Sequence, residues 1–197
     1  MSTPIANEST RRRLTATQAD TVARLTAAAV ELIREDGFDA LTVRLVAKRA
    51  GVAPATAYTY FSSKNHLVAE AFWRRLAESV DDPDPECART DRVVSVLRQV
   101  SLLVAGENEF AHAVTVSLLG SDPDVEHLRT KIGVLIRQKL AGALNPADPE
   151  DIDGLLVESL EMLYSGALMS AGMGYATYEH IADRLAQSAT LLLASHG

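Results

Sequence analysis

The stretch Gly51–Lys64, GVAPATAYTYFSSK, holds side chains better suited to bonding than to filling space. Pro54, Thr56, Ala57, Tyr58, Thr59 and Tyr60 fall close together, and Lys64 follows. No Leu, Ile or Met stands among them, so a helix here adds little to a core. Small and hydroxyl-bearing groups in this arrangement permit close approach to a major groove. There a threonine hydroxyl can bond a base edge or a phosphate, and an alanine methyl can meet a thymine methyl. Arg44, Lys48 and Lys64 carry the charge to meet phosphates. A plainer use stays open on spacing alone, because short Ala/Thr-rich helices also serve as surface packing pieces.

Such side chains need elements to hold them. Val22, Leu25, Ala29, Leu32 and Ile33 recur at spacings of three and four, which predicts an amphipathic helix. Gly37 is its expected stop, since glycine accepts the left-handed conformation. Thr42 is placed to cap a helix over 43–50, and Gly51 to end it. The next helix starts near Ala53, with Pro54 in the first turn, where a missing N–H costs nothing, and ends near Phe61. Ala47 is small enough to let these two helices cross closely. Val43, Val46, Ala50 and Val52 supply their inner face, which is the pattern of a helix-turn-helix. Pro54, Thr56, Ala57, Thr59 and Tyr60 are left for the outer face. Ser62 or Ser63 caps a fourth helix over 64–79.

The net charge of −7 argues against a polyanionic partner, but its distribution does not. Met1–Arg75 carries 11 Lys/Arg against 7 Asp/Glu, and Leu76–Gly197 carries 8 against 19. Ala40–Ala69 contains no Asp or Glu at all. That asymmetry predicts two parts with different partners. No apolar run approaches the roughly 20 residues of a membrane span, so no membrane partner is expected. The basic N-terminus lacks the apolar segment of a secretory signal, and the single Cys87 allows no internal disulfide, which fits a cytoplasmic location.

The run ALTVRLVAKRAGVAPATAYTYFSSKNHLVAEAF resembles the DNA-binding domain of the TetR family of bacterial transcriptional regulators. The preceding AAAVELIREDGFDALTV is similar to that family's first helix and its Gly-Phe-x-x-x-Thr turn. The resemblance spans about Arg24–Phe72. It implies that Thr42 and Arg44 start the positioning helix, and that Pro54, Thr56, Ala57, Thr59 and Tyr60 face the groove. It further implies that Tyr58 leans inward and reaches a phosphate, and that the Lys64 ammonium meets the backbone at the next helix start. Arg11–Arg13 resemble arms that some members lay in the minor groove. Thr59 departs from the pattern, standing where many members carry a large aromatic or basic residue, so base preference does not transfer from a relative.

Beyond the acidic, proline-containing DDPDPECARTD, the periodicity predicts helices over 91–105, 107–119, 122–144, 148–172 and 177–195. The expected architecture is all-α with about nine helices. It has a basic arm over 1–16, a three-helix DNA-binding domain over 17–63, a connecting helix over 64–80, and a larger domain over 81–197. By fold analogy with the family, that larger domain binds a ligand and dimerises. Val100, Val104, Phe110, Val116, Ile132 and Ile136 are candidates to line an apolar cavity, with His112 and Tyr164 as polar anchors. Each also has an ordinary reading as core. Of the last two helices, the first is rich in Gly, Ala, Ser and Met and the second has its own apolar face, and together they support a four-helix dimer interface, against the alternative of a buried pair within one chain.

An enzyme is the rival class. The sequence shows no HExxH, CxxC, GxSxG or phosphate-cradling glycine loop, and its five histidines are scattered. No cofactor and no metal are expected. A purely architectural DNA protein predicts a basic chain with no second domain, and neither fits. The expectation is a homodimeric regulator, in the first instance a repressor, whose partners are double-stranded operator DNA and a small apolar effector. The alternative is a ligand-independent regulator or activator with a structural C-terminal domain.

Overall fold

The structure, a computed structural model, describes residues 15–195. The Arg11–Arg13 arm lies outside the described residues. Among these, nine α-helices and no strand occur: α1 (Ala16–Ala40), α2 (Val43–Arg49), α3 (Pro54–Tyr60), α4 (Lys64–Ser79), α5 (Arg89–Leu102), α6 (Asn108–Leu119), α7 (Pro123–Leu144), α8 (Gly154–Gly172) and α9 (Tyr178–Ala194). They form two compact units. One takes the chain up to Arg74 together with Glu109–Thr130. The other takes Arg75–Asn108 and the chain from Lys131. Helices α4 and α7 therefore each contribute to both, and α6 belongs with the helix-turn-helix.

The first unit starts with a capping box in which Thr15 Oγ1 accepts from the Gln18 amide and the Gln18 side chain accepts from the Thr15 amide. Val22, Leu25, Ala29 and Ile33 of α1 are fully buried, as the spacing predicts. Gly37, at φ 79° and ψ 169°, breaks the helical path, and one further turn carries Phe38 into the core. Ser63, rather than Ser62, caps α4, accepting from the His66 amide at 3.0 Å. Both serines also donate outward. Ser62 Oγ bonds Asp124 at 2.6 Å and Ser63 Oγ bonds Asp122 at 2.5 Å. The turn after α3 is thereby pinned to the start of α7. Glu70 and Arg74 form a buried ion pair at 3.0 Å along α4.

In the second unit, α9 buries Ile181, Ala182, Leu185, Ala189 and Leu193, packing chiefly on α5 and then on α8. The buried Arg92 guanidinium holds the Ala143 carbonyl at the end of α7 (2.8 Å) and the Cys87 carbonyl in the preceding linker. Two boundaries differ from expectation. Helix α5 ends at Leu102, and turns follow to Gly106 at φ 74°. Helix α8 starts at Gly154, capped by Asp153, and not at Asp148–Pro149. Side-chain bonds from Asn145 and Asp148 hold that stretch in turns: Asn145 Oδ1 accepts from the Asp148 amide, and its Nδ2 donates to the Asp151 carbonyl. Asx side chains that bond nearby backbone compete with helix in this way.

Candidate nucleic-acid interface

The helix-turn-helix is fixed by three local devices. Thr42 Oγ1 accepts from the Leu45 amide at 3.1 Å and starts α2, a cap typically worth about 1 kcal/mol. Gly51 sits at φ 66°, and its hypothetical Cβ would meet nothing within 4 Å, so backbone conformation alone demands glycine there. The turn closes when the Val52 amide donates to the Ala47 carbonyl at 2.9 Å. Val43, Val46 and Ala47 face inward, and Pro54 begins α3 without needing a side-chain cap.

This arrangement leaves Pro54, Thr56, Tyr58 and Thr59 on the solvent face of α3, with Tyr60 half-buried. Thr59 Oγ1 donates back to the Ala55 carbonyl at 3.0 Å, which orients the hydroxyl with its lone pairs still available as acceptors. A cleft of about 460 Å3 runs between α2 and the start of α3, lined by Thr42, Arg44, Leu45, Lys48 and Pro54. Three expected site residues thus meet in one place, with Lys48 beside them. Leu45 was not singled out from the sequence. Its position three residues after the Thr42 cap is the signal that could have found it.

Several expectations are corrected. Ala57 is fully buried, the inward-facing residue of α3, so its methyl does not reach a groove. Tyr58 leans outward and is 53% exposed. The Lys64 ammonium donates to the Phe38 carbonyl at 3.0 Å and lies over the Phe38 ring at 4.2 Å, closing the end of α1 rather than facing solvent alone. Arg49 pairs with Glu35 at 2.5 Å and with Glu31 at 3.5 Å on α1. That hydrogen bond lowers the Glu35 carboxyl below its usual range and raises Arg49 further above its own. Arg49 therefore ties α1 to α2.

The candidate ligand residues are divided between the two units. Val100, Val104, Ile132 and Ile136 are buried in the second unit, and Phe110 is buried in the first. His112 and Val116 lie on the solvent face of α6, opposite Phe110, Ala113, Val114 and Ser117, and so do not line an interior cavity. Tyr164 is half-buried on α8, and desolvation raises its phenol pKa, keeping it protonated at neutral pH. Among the described residues, no group of three or more His, Cys, Asp or Glu could hold a metal ion, and no helix is long and apolar enough to cross a membrane.

Residues 25–71 match the family described as bacterial regulatory proteins, tetR family. An uncharacterized HTH-type transcriptional regulator of Mycobacterium tuberculosis is 46% identical over 180 residues, which is 90% of this chain and 82% of the relative. The chain belongs to the TetR family. It is a transcriptional regulator with a DNA-binding helix-turn-helix. The HTH-type transcriptional repressor KstR of Rhodococcus jostii is 25% identical over 173 residues, 86% of this chain and 81% of that one. The fold is also that of the regulator FadR from Bacillus subtilis, solved in complex with stearoyl-CoA. Its TM-score is 0.66 at 20% identity, covering 85% of this chain and 96% of FadR.

Proposed function

We propose that this TetR-family regulator is a homodimeric repressor that reads a pseudo-palindromic operator and leaves it when a small apolar effector binds. The observation that carries the DNA reading is the solvent-facing row Pro54, Thr56 and Thr59 beside the cleft of Thr42, Arg44 and Lys48, in a stretch with no acidic residue from Ala40 to Ala69. In this reading Thr56 and Thr59 bond base edges, and Thr42, Arg44, Lys48, Tyr58 and Tyr60 meet the phosphate backbone. In this reading residues 17–63 read DNA, 64–80 connect, and 81–197 sense and pair, although Glu109–Thr130 pack in the first unit.

Dimerisation is supported by α8. Leu155, Met162, Met169 and Met173 fall on one face with Ser165 and Gly166, and all are exposed. Small and flexible residues at that spacing let a second helix approach closely. Helix α9 adds the exposed Leu191. An isologous pairing gives a two-fold reader, which matches an inverted repeat in DNA.

The effector reading rests on the apolar interior around Val100, Val104, Ile132 and Ile136, and on the acyl thioester held by FadR. The KstR name supports repression. Fluorescence anisotropy on DNA selected from a random pool, with and without stearoyl-CoA, tests the whole reading. The effector is expected to lower affinity about 5- to 150-fold, the usual range of such coupling. Tight sequence-specific binding that no apolar acyl ligand weakens would favour the ligand-independent regulator instead.

A further inference from the structure

A second cleft lies in the other unit, on the outer side of the end of α4 and of α5. It is about 630 Å3, and its walls include Arg75 and Ser79 from α4 with Ser95, Arg98 and Gln99 from α5. Leu102 and Leu103 close one end as an apolar wall. Guanidinium, hydroxyl and amide groups share the lining evenly with apolar surface, and no carboxylate is among the lining residues. Such a wall suits a ligand rich in acceptors. This cleft does not include Val100, Val104, Ile132 or Ile136, which are buried.

We propose that this cleft is a binding site for an oxyanion carried on a short apolar chain. Arg75 and Arg98 bond the oxyanion, Ser79, Ser95 and Gln99 complete its contacts, and the chain lies against Leu102 and Leu103. Both guanidiniums are already held in place by carboxylates at the margin. Arg75 Nη1 bonds Glu107 at 2.7 Å and the Leu103 carbonyl at 3.4 Å, and Arg98 Nη1 bonds Asp183 at 2.6 Å. The side chains in these pairs are between 23% and 62% exposed, so each carboxylate can return to water when the ligand takes its place. Exchange of one oxyanion for another at Arg75 keeps the charge-assisted bond and breaks the Arg75–Glu107 pair. Glu107 follows Gly106, at φ 74° in the turn between α5 and α6, so the displaced carboxylate sits on a segment of irregular backbone.

The consequence is competition: Glu107 acts as an internal ligand for Arg75, and removing its charge must strengthen external binding. This goes beyond the DNA reading and is measured on the DNA-free full-length protein. The probes are octyl phosphate, octanoate and, as a neutral control, octanol, followed by titration calorimetry and by the arginine Nε–Hε signals of Arg75 and Arg98. Saturable binding of at least one anion is expected, with both arginine signals shifting and with octanol weaker by about tenfold or more. Which anion binds identifies a phosphate or a carboxylate headgroup. Arg98→Gln is expected to weaken the anion about tenfold, and Glu107→Gln to tighten it several-fold, an opposite effect that a merely structural Glu107 would not give. Absence of saturable anion binding in both the wild type and Glu107→Gln overturns the proposal. So does octanol binding as tightly as the anions, or Arg98→Gln leaving the affinity unchanged.

Discussion

Helices α3 and α8 both present a face that their own chain does not cover, and the two faces differ in kind. Helix α3 runs Pro54–Tyr60 and shows hydroxyls and small groups. Helix α8 runs Gly154–Gly172 and shows Leu155, Met162 and Met169 at intervals of seven. A polar uncovered face stays hydrated until it meets another hydrated surface, and the phosphate-lined groove of DNA is one. An apolar uncovered face costs free energy in water and calls for another apolar face. The chemistry of what a chain leaves unpacked therefore indicates its partner more directly than the chemistry of what it buries. In the proposed reading, α3 meets DNA and α8 meets its own copy.

Five changes sharpen or break that comparison. The largest effect is expected from Met162→Asp. Met162 is 68% exposed, so the lone subunit should lose little stability. A two-fold interface would bury two unpaired carboxylates, at a cost of several kcal/mol. Light scattering should show a monomer at micromolar concentration, and operator affinity should fall about 100-fold or more. A dimer that survives the change removes α8 from the interface.

Next comes Thr56→Ala on the other face. Loss of one base contact should cost about 1–3 kcal/mol on the preferred sequence and relax preference at one position. Equal loss on every sequence would make Thr56 a phosphate ligand. Lys48→Ala should instead weaken all sequences alike and lower the slope of log affinity against log salt by about one. Lys64→Ala separates the same roles from the opposite side. Its bonds to the Phe38 and Asp39 carbonyls predict a lower melting temperature, with a smaller change in salt slope than Lys48→Ala gives.

The smallest effect is expected from pH. The Glu35 carboxyl is held below its ordinary range by Arg49, so the folded state binds its proton less readily than the unfolded chain. Its contribution is present above the unfolded carboxyl pKa and fades as pH falls through the folded value. Arg49→Ala should flatten that part of the acid unfolding curve, and Thr56→Ala should leave it unchanged.

Much of this was legible in the sequence, for identifiable reasons. Gly37, Gly51 and Pro54 each punctuate structure by a backbone property that packing does not alter, and the elements they separate fall where expected. Thr42 and Thr177 cap the helices they precede, through bonds three residues long. What escaped depends on tertiary contacts. The inward turn of Ala57 follows from how closely α2 and α3 cross. The Lys64 bond to Phe38 joins residues far apart in sequence. The delayed start of α8 reflects competition by Asn145 and Asp148, whose side chains stabilise turns as readily as they cap helices. The last two helices together read as an interface; their exposed apolar side chains belong mostly to α8, because the inward face of α9 is spent on α5.

Selection of bound DNA from a random pool, with the mass of the resulting complex, tests the central claim most directly. The account predicts an inverted repeat whose half-site centres lie about 34–36 Å apart or a multiple of it, bound by two copies of the chain or a multiple of two. An enriched site without two-fold symmetry, bound by a single copy, would contradict it.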